Sequence, residues 1–131
     1  MNQLMSKMGS IGQSLWLDNL SRDIIESGEL KSLLDLGITG ITSNPSIFEN
    51  SLSSDSYDKQ INDILDKSDT FKVYEDLVCK DISDAADILL PIFNETHGED
   101  GYVSLEVSPL IGYDTKATIE EAKYLFNRLN K

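Results

Sequence analysis

Three stretches decide the fold of this chain: Ser14-Leu-Trp-Leu-Asp18, Gly40-Ile-Thr-Ser-Asn44 and Tyr102-Val-Ser-Leu-Glu-Val-Ser108. Each reads as a short strand with a polar side chain, Asp18, Asn44 or Glu106, at or near its C-terminal end. Strand side chains alternate with period two, so Leu15 and Leu17 face one way while Ser14, Trp16 and Asp18 face the other. In the third stretch Val103, Leu105 and Val107 share one face, and Ser104, Glu106 and Ser108 share the opposite one. Helical patterns fill the gaps between them. The expected layout is therefore β-α-β-α-β, an α/β fold with about three parallel strands and a long helical insertion between the second and third. In a (β/α)8 barrel the C-terminal ends of the strands carry the active site. Three strands are too few to close a barrel, so a partial TIM-type barrel is expected, the first part of an enzyme.

Working outward, residues 1–13 read as a loose leader and 14–131 as the incomplete barrel domain. From Ser21, a candidate N-cap, the pattern is helical through Ile24, Ile25, Leu30, Leu33 and Leu34. Gly28 is expected to divide it and Gly37 to end it. Pro45 is expected to close the second strand. Tyr57, Ile61, Ile64 and Leu65 form one apolar stripe, and Phe71, Tyr74, Leu77 and Val78 a second. Ile82, Ala85, Ala86, Leu89, Leu90 and Phe93 form a third, in which Pro91 is expected to kink or end the helix near Leu90. Residues 97–101 read as a turn cluster. A last helix is expected from Thr118, with Glu121 completing a capping box.

The 131 residues suit one domain, and a 40% hydrophobic content suffices for an ordinary core. No apolar run is long enough to span a membrane, and the first residues lack the apolar block of a signal peptide. Cys79 is the single cysteine, so no internal disulfide forms, and no Cys/His cluster offers a metal site. A cytoplasmic setting without cofactor follows as the default. The formal charge of −12 argues against nucleic-acid or anionic-membrane partners, both of which need a basic face. It also fits poorly with a phosphorylated substrate, unless the phosphate grip lies in other sequence.

On the third strand the apolar face would pack on helices, leaving Ser104 and Glu106 pointing into the barrel. An ionised carboxylate buried there is costly, and its pKa rises toward the range an acid/base catalyst needs. The plainer alternative is a half-exposed strand with a solvated Glu106. Asp18 has a plainer reading as a helix-capping residue near Ser21, and Asn44-Pro45 as a turn. What favours chemistry is coincidence: three strand ends deliver acids or amides together, with Thr42, Asn44, Ser104 and Glu106 sharing the interior. His97, the sole histidine, lies in a turn and reads as a surface residue. Carboxylates and amides alone make no nucleophile. A lysine forming a Schiff base would complete the set, and none falls within the three strands.

Together, Ser14-Leu-Trp-Leu-Asp-Asn-Leu-Ser-Arg22, Gly40-Ile-Thr-Ser-Asn-Pro-Ser-Ile-Phe-Glu49, Asp100-Gly-Tyr-Val-Ser-Leu-Glu-Val-Ser-Pro109 and Thr118-Ile-Glu-Glu-Ala-Lys123 resemble the transaldolase family, in order and over nearly the whole chain. The resemblance implies a metal-free class I aldolase barrel of the pentose phosphate pathway. Such enzymes transfer a dihydroxyacetone unit from ketose phosphates, such as fructose 6-phosphate, to aldose phosphates. It implies that Asp18 takes and returns the proton of carbon–carbon cleavage. Glu106, with a water, would serve Schiff-base formation and hydrolysis, and Asn44, Thr42 and Ser104 would hold substrate. The family's Schiff-base lysine belongs to a fourth strand, so Lys131 is not assigned that role and the chain alone is expected to be inactive. The alternative from another class is a non-catalytic interaction or split-subunit protein, pairing with itself or with a C-terminal remainder. A related Schiff-base aldolase is a third option.

Overall fold

The computed structural model describes residues 3–65 and 69–130. In chain order the elements are α1 (Gln3–Ser10), β1 (Trp16–Asp18), α2 (Arg22–Glu26), α3 (Glu29–Leu36), β2 (Gly40–Thr42), α4 (Pro45–Ser51), a 3₁₀ turn (Asp55–Tyr57), α5 (Asp58–Ile64), α6 (Thr70–Glu95), a second 3₁₀ turn (Pro109–Ile111) and α7 (Thr115–Leu129). Lys67 and Lys131 fall outside the described residues.

β1 and β2 run parallel, with Trp16, Leu17 and Asp18 opposite Gly40, Ile41 and Thr42. The third stretch joins them only through a parallel bridge between Ile41 and Val103. The expected third strand is thus reduced to one ladder position, although its order and direction are as the alternation predicts. Both named strands are three residues long, shorter than the sequence pattern suggests. The second ends early because Asn44 already turns out of the ladder, its side chain capping α4 at Ile47 N–H (2.9 Å). Pro45 therefore opens a helix, where its missing N–H would have had no partner anyway.

Local signals explain the first helices. Ser21 Oγ accepts the Ile24 N–H and starts α2, and Gly28 in the left-handed region separates α2 from α3. Gly37, at φ 117°, ends α3 in a conformation that costs other residues a Cβ clash. The helices and the sheet share one core: Leu20, Leu30, Ile41, Phe48, Val78, Ile82, Ala85 and Leu89 are all buried, with Leu17, Val103 and Leu105 packed against them. A smaller core of Tyr57, Val73 and Leu77 sits beneath α5, where Ile61 and Ile64 pack.

Two helix boundaries differ from expectation. α6 does not end near Leu90 but continues through Pro91 to Glu95. A proline inside a helix costs about 3 kcal/mol, but Leu89 on one side is fully buried and Phe93 on the other stacks edge-on against Tyr102 at 5.5 Å. Packing on both flanks supports the helical turn that contains Pro91. α7 begins at Thr115 rather than Thr118, because Asp114 is the N-cap, accepting the Ala117 N–H at 3.0 Å. Thr118 Oγ1 instead donates to the carbonyls of Asp114 and Ile111, and Glu121 accepts the Ser108 N–H across to the preceding segment. The turn at 97–101 forms as expected, with His97 exposed.

The seam of the sheet tolerates no side chain at position 40. A Cβ on Gly40 would lie 2.3–2.6 Å from three atoms of the Trp16 indole, whose Nε1 is itself held by Asp100 at 3.1 Å. Gly40→Ala is expected to lower stability by about 1–3 kcal/mol, the usual range for overpacking. Urea unfolding followed by the single tryptophan checks this, with the native emission maximum shifting as the indole is displaced.

Candidate active site at the strand ends

Parallel pairing places Asp18 beside Thr42, and Thr42 Oγ1 donates to Asp18 Oδ1 at 2.8 Å. The carboxylate is exposed and keeps its second oxygen open to solvent or substrate. It does not cap α2, a job done by Ser21. Thr42 also reaches the Leu17 carbonyl at 3.4 Å, which ties the hydroxyl to the strand that carries Asp18.

One residue further, Ser43 is buried and clasps Ser104: its N–H donates to Ser104 Oγ (3.2 Å) and its Oγ donates to the Ser104 carbonyl (2.6 Å). Asn44 uses its side-chain oxygen as the N-cap of α4, accepting the Ile47 N–H, in place of the plain turn that Asn44-Pro45 offered. Only the amide NH₂ remains to serve a ligand.

Glu106 lies apart from Asp18, and no hydrogen bond joins them. It lines a cavity of about 210 Å³ together with Pro45, Tyr74, Cys79, Glu121 and Leu125. The side chain is exposed, which agrees with the plainer alternative of a solvated Glu106 and not with a shielded interior carboxylate. The reason is geometric: two strands and a bridge form an open strip, and the polar face they present stays in contact with water. Around this cavity, burial pushes the Tyr74 phenol up, aided by the Glu106 charge. Burial likewise raises the Cys79 thiol, which disfavours a reactive thiolate there.

Sequence reading missed two polar clusters that hold the strands in place. Asp100, buried in the turn before the third stretch, accepts the Ser14 hydroxyl and the Trp16 indole N–H. Deeper, Asp81 Oδ1 accepts from Arg22 Nε (3.0 Å) and a terminal guanidinium nitrogen (2.9 Å), while Oδ2 accepts the Tyr57 hydroxyl at 2.6 Å. The Arg22 guanidinium also lies over the Tyr57 ring at 4.3 Å. Burial drives both the Asp81 carboxyl and the Tyr57 phenol upward, the former against the pull of its Tyr57 and Arg22 hydrogen bonds. Asp81 stands on the buried stripe of α6, three residues after Val78 and four before Ala85. An acid on an apolar face was the available signal, with Arg22 one of only two arginines to pair with it.

Among the described residues no group of three or more His, Cys, Asp or Glu side chains is arranged to hold a metal ion, and no helix is long and apolar enough to cross a membrane. The described lysines, Lys7, Lys31, Lys59, Lys72, Lys80, Lys116 and Lys123, all sit on helices rather than on the strand ends.

Short parallel strands alternate with helices in an α/β arrangement, with Asp18 and the hydroxyls of Thr42, Ser43 and Ser104 toward one end of them. A family profile described as Transaldolase/Fructose-6-phosphate aldolase matches residues 15–131, and the chain belongs to that family. It is 53% identical over 116 residues to a transaldolase of Trichodesmium erythraeum, covering 86% of this chain and 30% of that protein. It is 47% identical over 124 residues to a transaldolase of Thiobacillus denitrificans, covering 92% and 34%. A protein named Transaldolase 2 from a Nostoc species is 49% identical over 123 residues, covering 92% and 32%. The chain thus spans about a third of the length of these relatives.

Proposed function

We propose that this chain carries the acid/base part of a transaldolase site, built on the opening strands of a TIM-type barrel and acting in the cytoplasm on the pentose phosphate pathway. The observation that supports this is the gathering of Asp18–Thr42, Ser43–Ser104 and Asn44 at one end of parallel segments in a chain of this family. In the proposed reaction a lysine amine condenses with the ketose carbonyl, releasing water and forming an imine. Asp18 then takes the proton of the substrate hydroxyl as the carbon–carbon bond breaks, and returns it when the new bond forms. Glu106 passes protons to and from the water lost and regained at the imine. Asn44 Nδ2, Thr42 and Ser104 hold substrate hydroxyls. Because no described lysine lies at the strand ends, the 131 residues by themselves are proposed to be inactive.

Borohydride trapping with fructose 6-phosphate, read by intact mass, tests this in two settings. The chain alone is expected to give no adduct. The same chain substituted for the matching third of the Trichodesmium transaldolase is expected to give one adduct and to turn over. An adduct on the chain alone, or a graft that folds but neither traps nor turns over, overturns the reading.

A second reading, a chain that assembles with a separate remainder, is favoured by an apolar groove between α6 and α7. Leu90, Phe93, Tyr102 and Phe126 line it and all are exposed. Trapping that appears when the rest of the relative is added as a separate polypeptide would select it.

A further inference from the structure

The ladder between β2 and the third stretch breaks at one residue. Ile41 N–H donates to the Tyr102 carbonyl and Ser104 N–H donates to the Ile41 carbonyl, both at 2.9 Å, as in any parallel pair. The next bond in that pattern would run from Ser43 N–H to the Ser104 carbonyl. Instead each backbone group takes the other residue's hydroxyl: Ser43 N–H goes to Ser104 Oγ, and the Ser104 carbonyl receives Ser43 Oγ. Two side-chain oxygens thus take the places of direct backbone partners. The exchange falls where the polar strand ends begin, and the backbone ladder does not continue past it to Glu106. Ser43 is 2% exposed, so its hydroxyl is not available to a ligand.

We propose that Ser43 is a positioning residue for the transaldolase site. Its two bonds replace the backbone ladder between β2 and the Glu106-bearing segment. The Ser43 N–H occupies an acceptor lone pair of Ser104 Oγ, and Ser43 Oγ, by holding the Ser104 carbonyl, fixes the backbone geometry in which that bond forms, leaving the Ser104 hydroxyl as a donor to a substrate oxygen. A hydroxyl that already accepts an N–H bond is polarised and donates more strongly. Ser104 on its own would present its hydroxyl in any of several rotor positions; Ser43 N–H restricts that choice. The inference rests on the function proposed above and names a residue that does its work without touching substrate.

The test uses Ser43→Ala and Ser43→Thr in the graft, with hydrogen exchange on the 131-residue chain as an independent readout. Ser43→Ala is expected to lower kcat by about tenfold, the effect of one misplaced hydrogen bond of about 1.4 kcal/mol, with KM for fructose 6-phosphate within about twofold. Ser43→Thr keeps the hydroxyl and should restore most of kcat. In the chain itself, Ser43→Ala should speed exchange of the amides at 43 and 104 while those of Ile82 and Leu89 stay protected. An unchanged kcat with only a lower melting temperature, or a Thr variant as impaired as Ala, overturns the proposal. A graft with native Ser43 that neither traps nor turns over removes the function itself and the positioning role with it. The exchange data then tell whether the clasp forms, so the two failures remain distinguishable.

Discussion

Asp81→Ala is expected to destabilise the chain by about 3–5 kcal/mol, the range for breaking a buried ion pair by removing one partner. The carboxylate side chain is 1% exposed and the Arg22 side chain 6%. Its loss leaves the buried guanidinium without its anionic partner, with only the Tyr57 ring against it, and the Tyr57 hydroxyl without its acceptor at 2.6 Å. Three elements meet at this point: the start of α2, the 3₁₀ turn ending in Tyr57, and the middle of α6. The Tyr57 hydroxyl also accepts the Arg22 backbone N–H at 2.9 Å, so the cluster fixes main chain as well as side chains. A small domain has about 5–15 kcal/mol in total, and roughly a fifth or more of it would go with this one substitution. Urea unfolding measures the change. Asp81→Asn separates charge from hydrogen bonding, since the amide oxygen still accepts from Tyr57 or Arg22 but cannot neutralise the guanidinium. A loss below about 1 kcal/mol for Asp81→Ala would place the cluster with surface pairs. The contrast is supplied by Lys116–Glu120, an exposed pair at 3.8 Å on α7, which is outside that argument.

That cluster marks the boundary of what the amino-acid pattern reveals. Period-two alternation correctly put Val103 and Leu105 on the core side and gathered Asp18 and Thr42 at the same strand end, because both follow from backbone geometry alone. The caps at Ser21 and Gly37 were legible for the same local reason. Long-range pairing was not. Asp81 sits 59 residues from Arg22, and Asp100 sits 86 from Ser14; a lone acid in a helix or a turn looks solvated until its partner is brought to it. Strand length failed where side chains compete with the ladder. Asn44 caps a helix and Ser43 trades hydroxyls with Ser104, and each takes backbone groups that a longer strand would have used. The pattern did not decide between a shielded and a solvated Glu106, for a different reason. Alternation tells which face a residue occupies but not whether anything encloses that face, and here the strip is open.

Asp18→Ala and Glu106→Ala in the graft should abolish most turnover by different routes. General acid–base groups contribute about 10²–10⁴-fold, and each alanine is expected to lose that much of kcat. The two part company in trapping. Asp18 is proposed to act on the hydroxyl proton when the carbon–carbon bond breaks, after the imine exists, so Asp18→Ala should still trap fructose 6-phosphate at a near-normal rate and accumulate the intact six-carbon adduct. Glu106 is proposed to act on water at the imine itself, so Glu106→Ala should slow the appearance of any adduct. Thr42→Ser preserves the 2.8 Å bond to Asp18 and serves as the mild control, with kcat reduced far less than by Asp18→Ala. Slow trapping by the Asp18 variant would reverse the assignment. Turnover within about threefold of the parent for either alanine variant would remove that residue from the chemistry. The positions on the sheet favour the assignment as stated. Asp18 is held by a strand neighbour at the β1 edge of the polar strip, exposed where a substrate hydroxyl can meet it. Glu106 stands beyond the end of the backbone ladder, exposed to the water its proposed step consumes and releases.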